Sequence, residues 1–310
     1  MASILGRTLK LAVPAALAGL FLASGHAAAQ GRGASDRTEV KVSLVAIPVS
    51  QGDKAWATGG ELRVPNPDSV MDAPQTAEVR WPAVVILHGS GGVDSRGGWY
   101  ARQLNEAGFA TLEIDLWAAR GVSGPSTRPK SPMETVPDAY AALAFLSTRP
   151  DIDPARVGVM GFSWGGVVTM LSATSAVEAK YAAPGQAFAA FAPLYPVCWA
   201  YNRVPGLEFK DLTGKPVFIQ AGELDRYDDP DSCAQLHAGL PDAAKAVVRV
   251  VTYPGATHAW DRREPDVVIN DPFAHKGKGG PTPFTFNPAV TARSTKATVY
   301  FFRETLAARP

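Results

Sequence analysis

The chain has 310 residues, 46% apolar and 19% charged, enough apolar material for one large or two small domains with a real core. Thirty Lys and Arg stand against 29 Asp and Glu. That balance lacks the basic excess needed to track a phosphate backbone, which excludes nucleic-acid binding as its main role.

Residues 1–29 carry Arg7 and Lys10, then the apolar stretch from Leu11 to Ala23, then Ala27-Ala28-Ala29. A positive start, a short apolar segment and a small-residue end have the form of a secretory signal peptide cleaved after Ala29. A membrane anchor is the alternative, but the apolar stretch contains Pro14 and is shorter than the roughly 20 residues that a span requires. Cleavage leaves 28 Lys and Arg against 29 Asp and Glu. No later apolar stretch is long enough to span a bilayer, so the expected location is periplasmic or secreted. In such a compartment the two cysteines, Cys198 and Cys233, favour one disulfide over two free thiols.

Residues 30–38 are small and polar and read as a flexible leader. From 39 onward the chain shows no repeat and no interdomain linker, which predicts a single domain over 39–310. Residues 40–48 alternate like a half-buried strand, and 61–65 offers it a short partner. The continuous apolar run 83–89 fits a central strand. A helix follows over 99–107, a strand over 109–115 and a helix over 135–147. Next come the strand that begins at Val157, a helix from about 165, and strands over 188–195, 216–222 and 246–254. Residues 289–307 close the chain as a helix. Apolar strands separated by helix-length segments predict an α/β fold, with a mostly parallel sheet covered on both faces. The first two strands precede that alternation and are expected to pair antiparallel at one edge. Ligands of such sheets bind at the carboxyl ends of the strands.

One strand end carries "GFSWG", Gly161 to Gly165, a G-x-S-x-G between strand and helix. A bend that pushes Ser163 out crowds its neighbours, so glycine fits at 161 and 165, and the helix beginning at Trp164 aims free N–H groups at a reacting carbonyl. A plain tight turn accounts for the local pattern equally well, so the partners decide. A serine nucleophile needs a base, and the base an orienting acid. His237 sits in a helix-like segment, His275 in a polar loop, and His88 upstream at a strand end. His258 lies four residues after Pro254 closes the last strand, where it can lean back over Ser163. The acid is expected after the preceding strand: Asp225 first, then Asp228, then Glu223. The order Ser163, Asp225, His258 is that of α/β-hydrolases. "HGSGG", His88 to Gly92, can supply one backbone donor to an oxyanion, at Ser90 or Gly89, with Trp164 N–H as the other. Trp164 and Trp260 flank these residues and either line the substrate pocket or sit in the core. No cofactor or metal is expected.

These segments resemble the dienelactone hydrolases, especially their exported members. The likeness runs from about residue 80 to the C-terminus through "VILHGSGG", "LEIDLWAARGV", "GVMGFSWGG", "FIQAGELD" and "YPGATHAW". The exported branch places one cysteine after a Tyr-Pro pair and another shortly after the acid. Cys198 and Cys233 match those positions, so the resemblance implies that they pair. The namesake enzymes use a cysteine nucleophile and carry an acidic residue about where His88 stands. The resemblance therefore implies an exported serine hydrolase of a carboxylic ester or lactone rather than the namesake reaction. A peptidase of the prolyl-oligopeptidase or acylaminoacyl-peptidase type shares the triad order. However, only 51 residues lie between Ala29 and the strand at 81, too few for a propeller of four blades of roughly 40 residues each. An inactive hydrolase fold used for binding is the remaining alternative. The stretch 261–288 is long enough to form a lid or a wrapping segment.

Overall fold

The computed structural model describes residues 38–70, 79–123 and 127–306. The expected signal segment 1–29 and, apart from Thr38, the expected leader 30–38 lie outside the described residues.

Eight strands form one sheet: β1 (Val40–Gln51), β2 (Lys54–Pro65), β3 (Trp81–Leu87), β4 (Ala110–Asp115), β5 (Ile152–Phe162), β6 (Ala190–Leu194), β7 (Val217–Gly222) and β8 (Val248–Tyr253). Their order across the sheet is β1-β2-β4-β3-β5-β6-β7-β8. β1 and β2 pair antiparallel at one edge, β2 meets β4 antiparallel, and every later pairing is parallel. The mostly parallel sheet expected from the sequence is therefore present. The edge ribbon is longer than the pattern indicated, because Trp56–Gly60 continues β2 through residues of mixed polarity.

Successive side chains of a strand point to opposite faces, and in the central strands both faces are buried. Ala83, Val85 and Leu87 of β3, with Val157 and Val159 of β5, enter one core; Val84, Ile86, Met160 and Phe162 enter the other. The first core is covered by α2 (Val136–Ser147) and α3 (Trp164–Ser172), which supply Leu143 and Val168. α1 (Ser95–Glu106) and the C-terminal helix (Pro288–Leu306) cover the second with Tyr100, Leu104, Phe301 and Phe302. α1 begins four residues before the sequence indicated, because the Asp94 carboxylate caps the Arg96 N–H at 3.1 Å.

Residues 261–288 contain a two-stranded ribbon, β9 (Val267–Asp271) and β10 (Gly280–Phe284), paired antiparallel apart from the main sheet. Pro281 and Pro283 lack N–H groups and are tolerated because β10 has a partner on one side only. The same prolines make the segment read as loop. Cys198 and Cys233 form a disulfide joining the turn after β6 to the helix Ser232–Ala238. Among the described residues no helix is long and apolar enough to cross a membrane.

Candidate active site

Ser163 stands at the joint of β5 and α3 with φ 51° and ψ −108°, a conformation costly for a residue with a side chain. Its surroundings hold it there: the Ser163 N–H donates to Leu194 O at 3.0 Å, and its carbonyl accepts from Val167 N at 2.8 Å. The two glycines of the motif are needed for space. A Cβ on Gly161 would lie 2.2 Å from Gly165 O, and one on Gly165 would lie 2.3 Å from Leu87 O. The bend can close only where the chain passes backbone against backbone.

Asp225 and His258 arrive from loops beyond β7 and β8. The loops are tied by Leu224 N–H donating to Ala256 O at 2.8 Å. Gly222 permits this approach, since a Cβ there would meet Ala256 O at 2.5 Å. His258 Nε2 lies 2.8 Å from Ser163 Oγ, and His258 Nδ1 lies 2.7 Å from Asp225 Oδ2. Both partners of the Asp225–His258 pair are buried. The other Asp225 oxygen, Oδ1, accepts from Tyr227 N at 2.8 Å, which fixes the carboxylate plane.

The two alternative acids have other partners. The Asp228 carboxylate accepts from Cys198 N and Trp199 N, each at 2.7 Å, and so closes the turn beside the disulfide. Burial, and after it the negative charge of Asp225, pushes Asp228 up to about 7. Glu223 is more exposed and accepts from Gly255 N at 2.8 Å. His237 Nε2, at the end of the helix Ser232–Ala238, lies 3.4 Å from Lys245 O, and His275 Nε2 lies 3.1 Å from Pro281 O, so neither ring's contact is with Ser163. His88 Nε2 accepts from Leu116 N at 2.9 Å, so its Nδ1 carries the proton and donates to Gly89 O at 2.7 Å. His88 thus secures the glycine-rich loop.

Gly89 and Ser90 line the same cleft as Ser163 and His258. Among the described residues the Trp164 and Ser90 N–H groups have no acceptor, as donors reserved for a ligand would. Ser90 is held by its side chain, whose Oγ accepts from Arg128, and by its carbonyl, which accepts from Trp117 Nε1 at 3.2 Å. The Arg128 guanidinium lies 5.1 Å from the Trp164 ring centre and 4.6 Å from that of Phe273. Partial burial pulls its pKa below the ordinary arginine value.

Of the two tryptophans, Trp164 lines a cleft that opens on Ser163 and donates Nε1–H to Thr135 Oγ1 at 3.0 Å. Trp260 does not line a cleft. It is fully buried between Tyr195, Tyr253 and the C-terminal helix, where its Nε1 donates to Ser294 Oγ at 3.2 Å. Its neighbour Ala259, at φ 54°, turns the chain so that His258 faces the site and Trp260 the core.

Tyr227 carries no mark in the sequence beyond following Asp225 by two residues. Its ring centre lies 4.3 Å from that of His258, and its hydroxyl donates to Asp271 Oδ2 of β9 at 2.7 Å. Phe284 of β10 also approaches His258, with ring centres 5.3 Å apart. The β9–β10 ribbon therefore lies across the site. Beneath His258, Tyr195 donates to Asp261 Oδ1 at 2.6 Å and accepts from Arg96 at 3.1 Å, forming a buried polar floor.

The model of the family described as "Dienelactone hydrolase family" matches residues 68–306. A protein of Methylorubrum extorquens, provisionally named carboxymethylenebutenolidase, is 29% identical over 223 residues, covering 65% of this chain and 72% of that one. A provisionally named dienelactone hydrolase from Klebsiella pneumoniae has a similar structure, with TM-score 0.57, 16% identity and coverage of 86% of this chain and 99% of the other. A dienelactone hydrolase-like promiscuous phosphotriesterase from metagenomic libraries gives TM-score 0.55 at 18% identity, covering 85% and 98%. At these identities the two structures speak for the fold, that of the α/β-hydrolases.

Proposed function

We propose a reaction from one premise: the chain belongs to the dienelactone hydrolase family. It is a serine hydrolase that cleaves a carboxylic ester or lactone through an acyl-enzyme. The observation that carries this reading is the continuous chain Ser163 Oγ, His258 Nε2, His258 Nδ1, Asp225 Oδ2, with links of 2.8 and 2.7 Å.

Ser163 attacks the carbonyl carbon while His258 Nε2 takes its proton. Asp225 keeps the proton of the neutral ring on Nδ1, which leaves Nε2 free to accept, and stabilises the imidazolium that forms. The Trp164 and Ser90 N–H groups receive the oxyanion, with Gly89 N–H as the alternative loop donor. The imidazolium then protonates the leaving alcohol. Water, activated by His258, attacks the acyl-enzyme and regenerates Ser163. The strained Ser163 backbone keeps Oγ clear of the strand, so the hydroxyl is presented without rearrangement.

The test is Ser163→Ala with a fluorophosphonate probe. The native enzyme should label on Ser163 and hydrolyse p-nitrophenyl esters, and the folded variant should do neither. A folded native protein that stays unlabelled and inactive would favour a binding role. The signal-like segment 1–29 and the paired cysteines support an exported enzyme, either periplasmic or secreted. Recovery of full-length, uncleaved protein from the cytoplasm alone would refute that location.

A further inference from the structure

Two clefts meet at Ser163, and they differ in chemistry. One, of about 230 Å³, contains His258 together with Arg262, Asp271 and Phe284. The other, of about 380 Å³, runs under Trp164, Val167, Val197, Tyr201, Leu207 and Phe273, and His258 is not among its lining residues. An ester has two arms, and the proton inventory distinguishes them. The leaving oxygen must receive its proton from His258 Nε2, so the alcohol lies on the side of Ser163 where His258 stands. The acyl arm then points the other way.

We propose that the 380 Å³ cleft is the acyl subsite and that the enzyme selects esters of a compact, uncharged, bulky acid, either an aromatic or a branched or medium-length alkyl one. This assignment rests on the serine-hydrolase reading above. Three observations support it. The six residues named are apolar or aromatic at the cleft surface, and they favour a carbon skeleton over a polar acid. The cleft lies toward the small end of the roughly 300–1,000 Å³ range of ligand sites, room for one ring or a few carbons rather than a fatty acyl tail. Two cations also line the cleft: the Arg128 charge is already engaged by the Trp164 and Phe273 rings and by Ser90 Oγ, and Lys130 is exposed to solvent.

The wall is also built before any ligand arrives. The turn carrying Val197 and Trp199 is fixed by the Cys198–Cys233 disulfide and by the two bonds to Asp228. Tyr201 is anchored through its hydroxyl to Pro196 O at 3.0 Å. A rigid wall lets shape discriminate, since misfit is not relieved by rearrangement.

The experiment compares kcat/KM for p-nitrophenyl acetate, butyrate, hexanoate and benzoate, where the alcohol is constant, with a series of acetates of different alcohols. Burial gives about three- to fourfold per methylene, so hexanoate or benzoate should exceed acetate by more than tenfold. Val167→Phe, on α3 one turn beyond Ser163, and Leu207→Trp, on the loop between β6 and β7, both fill the cleft. Each should lower the benzoate-to-acetate ratio by at least tenfold. Two variants from different elements keep the test intact when one of them does not fold. The assignment is overturned if acetate is preferred, if folded variants keep the native ratio, or if selectivity follows the alcohol series instead. An enzyme that labels on Ser163 but prefers acetate defeats this assignment alone, whereas an unlabelled, inactive protein defeats the hydrolase reading beneath it.

Discussion

Asp225→Asn perturbs the proposed reaction with almost no change of shape. Asp225 Oδ1 accepts from Tyr227 N at 2.8 Å, and Oδ2 accepts from His258 Nδ1 at 2.7 Å. In the amide, the Tyr227 N–H requires the carbonyl oxygen on its side, which turns the NH2 group toward His258. Nδ1 must then accept, the ring proton moves to Nε2, and the atom facing Ser163 can no longer take a proton. The opposite flip restores the tautomer but sets NH2 against a buried N–H, at a cost of about 1–3 kcal/mol. That handicap leaves between about 15% and under 1% of molecules competent. Loss of the carboxylate charge beside the imidazolium adds to the deficit, and the same replacement in serine proteases costs about ten-thousandfold. We therefore expect kcat to fall between roughly a hundredfold and ten-thousandfold, with an unchanged circular dichroism spectrum. The assay is p-nitrophenyl ester turnover, run beside Asp228→Asn. The latter disturbs the turn at Cys198 and Trp199 and should cost stability while leaving turnover within about tenfold. If Asp225→Asn keeps more than a tenth of native turnover while Asp228→Asn loses it, the orienting acid has been misassigned.

Tyr227→Phe keeps the ring on His258 and the backbone bond to Asp225 but removes the donor to buried Asp271. It should destabilise the β9–β10 ribbon by about 1–3 kcal/mol, seen as faster amide exchange across 267–284, and native exchange rates there would refute the tie. Glu113 is pushed up to about 7 by burial, and its Oε1 has no hydrogen-bond partner among the described residues. A carboxyl raised in the folded state is best tolerated when protonated, so its cost grows as pH rises from its unfolded value of about 4.5 to its folded value of about 7. The melting-temperature advantage of Glu113→Gln should therefore widen between pH 5 and pH 8, and a constant or shrinking gap would contradict the burial argument.

Much of the architecture was legible from the sequence because it is encoded at short range. The β3 and β5 runs are apolar on both faces because helices cover both faces, and a continuous apolar run of that length can be read without a partner in view. Gly161, Ser163 and Gly165 record a collision problem solved within five residues. The order of serine, acid and histidine follows from strand ends, which the same patterns locate.

What the tertiary structure decided are matters of distance between segments that carry no local mark. Asp225 and Asp228 are three residues apart on one loop. Which of them meets His258 depends on Gly222 admitting the His258 loop and on Cys198 and Trp199 claiming Asp228. Trp164 and Trp260 look alike as neighbours of the site, yet the positive φ of Ala259 turns Trp260 into the core. The β9–β10 ribbon has prolines and no clean alternation, so only its pairing and the Tyr227–Asp271 contact identify it as a cover. Periodicity and turn chemistry are properties of neighbouring residues and can be read in line. Facing partners, shared clefts and the choice among similar groups are properties of the packed chain, fixed only when distant loops compete for the same space.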